Sequence, residues 1–515
     1  MPDYMFLLES RLSPEQRAAL VRVQEIAQGQ GTNVYLSGGA VRDLITGLPI
    51  RDLDFTVEGN PARIARELEK GGARLRSEDE RLRHIEVLFH GDVDGSLAAA
   101  RDEYYARPGS RPEMRWSTII EDLRRRDFSC NAIALSLNLA SRGLLLDPTN
   151  GLADLEKREV RLLSMHGFTN QPARLLRVLR YQVRLDFAIE ARTKEWFALA
   201  LERDLHHAMA PEDIGRELRQ LGREDRPGAI LKAWAAHGLL EAIHERLGRR
   251  GADYHGLAKL MKTREAMVSA GYRQLIGDTV LPRMFAPVAY YVFAKLTPRE
   301  RNALLSRTGF RSAEIEQVAS FEEGARKAVR LLSTRQMEKP REAYHYLEKL
   351  PLSWLAFIQA EFPKPRVLNK IRNFLYKWKP LRAALPVAEL DALGLPRGPK
   401  FDRVLESFFD LQLAGKGKTP EERTKLLRKL AGIKPPAKKK EKKEKEKKKA
   451  ARKEKPKAEH RAAPTPPAEP AVPLAPPARP PAEKPAAPPP QAEPAKPARK
   501  PVPKKRMRPA KKRRR

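Results

Sequence analysis

The chain has 515 residues, 41% of them hydrophobic, and a formal net charge of +35, which suits two or more packed domains and a polyanionic partner such as nucleic acid. Its only cysteine, Cys130, excludes an internal disulfide and fits a reducing compartment. MPDYMFLLESRLSPEQ lacks the basic and apolar regions of a signal peptide, and no run of about eighteen apolar residues is present to span a membrane. A cytoplasmic protein without membrane contact is the expectation.

SPEQRAALVRVQEIAQGQG is an amphipathic helix opened by Ser13 as N-cap and closed by glycines. NVYLSGG reads as a short strand running into a turn, AVRDLITG as a helix ended by Gly47, and RDLDFTVEG as a second strand. RHIEVLFHGDVDGSLAAAR suits a hairpin with Asp-Gly at its turn. From about residue 149 the strand signals fade, and helical periodicity continues to about 430. Lys434–Arg515 carries 29 Lys and Arg against 8 Asp and Glu, 21 of the 43 prolines, and no Phe, Tyr or Trp. Such a stretch buries too little apolar surface to fold, so a disordered basic tail that contacts RNA non-specifically is expected over 433–515. The first 433 residues still carry a net +14, so the folded part is itself basic.

Residues 36–57, LSGGAVRDLITGLPIRDLDFTV, hold the chemistry. Alternation along a strand puts Asp52 and Asp54 on one face and sends Leu53 and Phe55 into the core. Two neighbouring carboxylates repel unless a cation sits between them, and hard oxygen ligands favour Mg²⁺. Gly38 and Gly39 let the backbone approach a ligand at a helix N-terminus, which suits a triphosphate, and Arg42 adds a charged donor one turn on. These are the parts of metal-assisted nucleotidyl transfer.

GGAVRDLITGLPIRDLDFTV resembles the signature of the tRNA nucleotidyltransferase/poly(A) polymerase family, the class II nucleotidyltransferases with a polymerase-β-like head. RDEYYARPGSRPEMRWSTIIEDLRRRDFSCNAIAL, LLDPTNGLADLEKREVRLL and QPARLLRVLRYQVRL resemble that family's further motifs, in its order. The resemblance implies that Asp52 and Asp54 hold metal, and that Gly38, Gly39 and Arg42 contact the nucleotide phosphates. It further implies that Arg126, Asp127 and Asn131 bind ribose and phosphate, and that Arg174, Arg177 and Arg180 line the nucleotide pocket. Periodicity agrees on the last helix: positions 174, 177, 180 and 184 share one side, leaving Leu175, Leu176 and Leu179 to pack.

Two departures stand out. Where the family has Glu-Asp before the pocket arginine, this chain has Asn170-Gln171, and Gln171 both accepts and donates. The position of a third family carboxylate falls on Ser96, so Asp94, two residues earlier on the same face, is the candidate, with Glu86 on the neighbouring strand a weaker one. AELDALGLPRGPKFDRVLESFFDLQLAGKGKTPEERTKLLRKL resembles the segment that packs on the tRNA elbow in these enzymes. The His206-His207 pair reads as structural, and Trp116, Trp234 and Trp354 as core or interface packing residues rather than base-stacking platforms.

The expected architecture is therefore a polymerase-β-like α/β head (1–148) and an all-α neck (149–250), body and tail (251–432). The resemblance implies Mg²⁺-dependent addition of CMP and/or AMP, from CTP and ATP, to a tRNA 3′ end. The alternatives are a poly(A) polymerase on unstructured RNA, and a catalytically weak RNA-binding protein on the same scaffold.

Overall fold

A computed structural model describes residues 3–107, 110, 112–275 and 282–433. The expected basic tail lies outside the described residues except for Ile433. A helix over Tyr4–Arg11 (α1) precedes the one expected at Ser13, which runs Pro14–Gly29 (α2). The Ser13 hydroxyl accepts from the Gln16 backbone N–H while the Gln16 side chain accepts from that of Ser13, so two otherwise orphaned donors are satisfied reciprocally.

The head then alternates strand and helix: Asn33–Ser37 (β1), Gly39–Thr46 (α3), Leu53–Glu58 (β2), Pro61–Lys70 (α4), Arg74–Asp79 (β3), His84–Phe89 (β4) and Val93–Ala99 (β5). There follow a separate ribbon, Arg101–Tyr104 (β6) with Glu113–Trp116 (β7), the helix Ile119–Arg124 (α5), and the strands Ala134–Ser136 (β8) and Leu145–Leu146 (β9). The main sheet runs β3-β4-β5-β2-β1-β8-β9, and within it only β2 and β5 pair in parallel. Leu53, Phe55, Val57 and Leu97 are buried in one core with Ile64 of α4, as the alternation of β2 requires.

One turn differs from expectation. The β4–β5 reversal is made by His90-Gly91-Asp92, with Gly91 and Asp92 at φ 77° and 59°, and Asp94-Gly95 lies inside β5. Gly95 serves a close approach instead: a Cβ there would stand 2.5 Å from the Leu53 carbonyl oxygen on the paired strand. Placing Asp-Gly in the strand is what carries Asp94 onto the face of Asp52 and Asp54.

Beyond the sheet come Gly151–Lys157 (α6), Glu159–Val160 (β10), Gly167–Asn170 (α7), Arg174–Leu185 (α8), Ala188–Ile189 (β11), Ala191–Glu202 (α9), Pro211–Gln220 (α10) and Pro227–Ala236 (α11). Helices continue to Pro420–Ala431, so the expected α/β head followed by helices is what the chain forms. Contacts join Met1–Pro435 into one compact unit. Its last two helices, Pro399–Leu413 and Pro420–Ala431, close on a small core of their own around Leu390, Phe401, Phe408 and Leu427.

Trp234 is fully buried and donates its indole N–H to the Leu176 carbonyl at 2.9 Å, and Trp354 packs edge-on against Phe321. Trp116 lies outside the core, which leaves interface packing as its expected role. It is 54% exposed, because the β6–β7 ribbon is not part of the main sheet, and the Arg83 guanidinium lies over its ring.

Candidate active site

Asp52 sits just before β2 and Asp54 is its second residue, with Leu53 opposite Gly95 and Asp54 opposite Ser96 on parallel β5. The Ser96 hydroxyl donates to Asp54 Oδ1 at 2.7 Å, so Ser96 fixes the orientation of that carboxylate. Asp94 is 7% exposed, and its Oδ2 is buried with no hydrogen-bond partner among the described residues. Burial, then the neighbouring Asp52 charge, pushes the Asp54 carboxyl up to about 7. Burial raises Asp94 to about 7 as well, with Arg283 opposing and Asp52 adding to the rise.

All three carboxylates, with Glu86 opposite Ser96 on β4, line one cleft of about 420 Å³. Crowded, partly desolvated carboxylates with one orphaned oxygen are a donor set that a hard divalent cation fits. Asp52 is also held at 2.8 Å by Arg223, which the sequence reading missed.

The turn ahead of α3 needs its glycine. Gly38 has φ 69°, and a Cβ on it would stand 3.0 Å from Arg126 Nη1. Arg42 is only 2% exposed: its Nε donates to Asp43 Oδ1 at 2.8 Å and its Nη1 to Asn131 Oδ1 at 2.5 Å. Arg126 fastens strand ends, with Nη2 donating to the hydroxyls of Ser37 on β1 and Thr56 on β2, and to Asp122. Its Nη1 donates to the Asn131 carbonyl. Gly39 and Arg42 line the carboxylate cleft, and Arg126 and Asn131 line a second one of about 270 Å³.

The expected arginine face of α8 is present, and Leu175, Leu176 and Leu179 pack beneath it. Every arginine on that face meets an acid from another element. Arg174 Nε stands 2.6 Å from Asp127, and Arg177 pairs with Asp127 and with Glu217 at 2.7 Å. Arg180 joins Glu217 at 2.8 Å and Glu224 at 3.1 Å, and Arg184 joins Asp43 at 3.2 Å. Burial alone would raise Asp127, but Arg174 and Arg177 hold it far below the usual carboxylate range.

Glu217 was the missed residue with a readable signal. Ile214, Leu218 and Leu221 stand at i−3, i+1 and i+4 from it, so it lies on the apolar face of α10, where a carboxylate needs a cation. Gln171 sits at the mouth of α8 and lines the smaller cleft with Arg174, while Arg180 lines the larger one. Asp127 and Arg177 line both, so the two clefts adjoin.

His206 and His207 are on a tight 3₁₀ turn, with ring centroids 4.2 Å apart. With Asp204 they bring ligand atoms within 4.8 Å of one another, so adjacency does not separate them as a regular helix would. Two of these three residues are exposed.

At the edge of the carboxylate cleft, burial and then the Arg101 charge hold His84 down to about 4 from 6.5. The unfolded chain therefore takes up this proton first as pH falls from 6.5 to 4. Native stability should drop across that window and be flat above it as far as this group decides. Unfolding midpoints at pH 7 and 5 check the sign: His84→Gln should narrow the gap between them, and an unchanged gap would refute the assignment.

The mixed sheet sets paired acids at the start of one strand, and Arg177, Arg180 and Arg184 of α8 line the same cleft. Residues 34–161 match the family model described as the Poly A polymerase head domain. The chain is 36% identical over 213 residues to the A-adding tRNA nucleotidyltransferase of Aquifex aeolicus, covering 41% of this chain and 26% of that one. It is 34% identical over 239 residues to the CC-adding tRNA nucleotidyltransferase of Deinococcus radiodurans, covering 45% and 62%. Among solved structures it is similar to the Thermotoga maritima CCA-adding enzyme complexed with tRNA, at 22% identity and TM-score 0.44 over 84% of this chain and 98% of that one. The chain thus spans about a quarter to under two thirds of the length of these curated relatives.

Proposed function

We propose that this chain is a template-independent nucleotidyltransferase that adds CMP and/or AMP to the 3′ end of tRNA. The observation that carries the reading is the convergence of Asp52, Asp54 and Asp94 on one cleft that runs into the Gln171–Arg174 cleft past Asp127 and Arg177. The names of the relatives, A-adding and CC-adding, point to the same reaction class with different bases.

Asp52 and Asp54, with Asp94, would hold Mg²⁺, which when bound supplies Lewis-acid activation of the attacking 3′-hydroxyl and neutralises charge at the α-phosphate. The chain's own residues do the positioning. Gly38 and Gly39 leave room for phosphates at the start of α3. Arg126, Asp127 and Asn131 bind ribose and phosphate, Arg42 holds Asn131 in place, and Arg174, Arg177 and Arg180 form the nucleotide pocket. On this reading residues 1–148 carry the chemistry, 149–250 the nucleotide pocket, and 251–432 the tRNA contacts. A cytoplasmic location accords with the finding that no helix among the described residues is long and apolar enough to cross a membrane.

The test uses the full chain, Mg²⁺, and tRNA transcripts ending at the discriminator base, at C or at CC, with CTP, ATP or both. Addition limited to the missing CCA residues is the expected result. Long A tracts on unstructured RNA would replace it with a poly(A) polymerase, and RNA binding without extension would leave an RNA-binding protein.

A further inference from the structure

We infer that Asp213 is a positioning residue for nucleotide choice: it turns the Gln171 amide so that the oxygen, and not the nitrogen, meets the incoming base. The inference rests on the nucleotidyl-transfer reading above. Gln171 replaces the acidic residue expected ahead of Arg174, and an amide presents either a donor or an acceptor according to how it is turned.

The structure supplies the missing constraint from another helix. Gln171 Nε2 donates to Asp213 Oδ2 at 3.1 Å, and Asp213 Oδ1 is held 3.0 Å from Arg216 Nη1. Asp213 is buried in the first turn of α10 and lines the same cleft as Gln171 and Arg174. A carboxylate only accepts, so the amide nitrogen must face it, and Oε1 is left as the atom free to meet a ligand.

An acceptor at Gln171 beside a donor at Arg174 matches adenine and cytosine, whose exocyclic amine adjoins a ring nitrogen acceptor. Guanine and uracil present a carbonyl beside a ring N–H and find the wrong partner at both atoms. With the amide free to turn, the acceptor is no longer enforced, and discrimination falls.

The experiment measures kcat/KM for ATP and GTP with the wild type, Asp213→Asn, and the double variant Asp213→Asn/Gln171→Glu. An amide in place of the Asp213 carboxylate can donate as well as accept, so the single variant should lower the ATP:GTP ratio about tenfold, the size of one hydrogen bond. A carboxylate in place of the Gln171 amide accepts only, and the double variant should restore the ratio. A purely structural role for Asp213 would slow both nucleotides alike and leave the ratio untouched, which overturns the inference. A ratio that falls in the single variant and stays low in the double also overturns it. A wild type that incorporates no nucleotide overturns the nucleotidyl-transfer reading itself, and this inference with it.

Discussion

Asp54→Asn is expected to lower nucleotide incorporation about a thousandfold or more while leaving the fold in place. The rate loss follows from position: Asp54 lines the cleft with Asp52 and Asp94 and is held by Ser96. On the proposed reading Asp54 would help to hold Mg²⁺, and an amide in its place would hold the cation more weakly, at a cost of several kcal/mol of transition-state stabilisation. Stability follows from the sign of its shift. Burial and Asp52 raise the Asp54 carboxyl above its ordinary value of 3.8, to about 7, so the native state holds this proton more tightly than the unfolded chain does. Between those values native stability falls as pH rises, and at neutral pH the ionised carboxylate costs stability in the metal-free protein. Asp54→Asn should therefore unfold no earlier than the wild type at pH 8. Single-turnover incorporation and a thermal melt on the same preparation check both halves. Activity within a factor of ten of wild type would remove Asp54 from the chemistry.

The second large effect is on stability. Glu217 is 1% exposed and receives both the Arg177 and Arg180 guanidinium groups, which are themselves largely buried. Glu217→Ala leaves two guanidinium groups facing a low-dielectric gap with half their compensation gone, and about 3–5 kcal/mol should be lost. Glu217→Gln keeps one acceptor oxygen but also offers a donor to a cation, and should fall near the lower end of that range. The pair Glu322–Arg326, on a solvent-exposed helix face at 2.6 Å, serves as the control. Glu322→Gln should cost under about 1 kcal/mol, because water screens that pair. Equilibrium urea unfolding of the three variants separates the cases. Equal losses at Glu217 and Glu322 would mean that the ladder under the site is solvated.

Local rules read the facing of these side chains correctly. The two-residue period of a strand predicted that Asp52 and Asp54 face away from Leu53 and Phe55, and the core contains the latter pair. The 3.6-residue period of a helix put Arg174, Arg177, Arg180 and Arg184 on one side, and Ser13 opened its helix as its side chain requires. Each of these depends on residues within a few positions of one another, where backbone geometry alone sets the direction of the side chain. Asp94 was also within reach, since it shares a face with Ser96, although the turn beside it was misplaced. Asp-Gly is the stronger local turn signal, but pairing of β5 with β2 and β4 needs Gly95 inside the strand, so the reversal moves to His90-Gly91-Asp92.

The linear chain determined which residues could carry charge, and toward which face of their own strand or helix they point. It did not determine what they meet. Arg180 finds Glu217 and Glu224, Asp52 finds Arg223, and Gln171 finds Asp213, each across dozens of intervening positions. Those meetings turn a basic helix face into a buried, paired ladder and an ambivalent amide into an oriented one. Only the packing of α10 and the residues after it against α8, the residues before it and the main sheet decides them, because the energy of a charge or an amide depends on its partner and its dielectric surroundings, and neither is written in its neighbours along the chain.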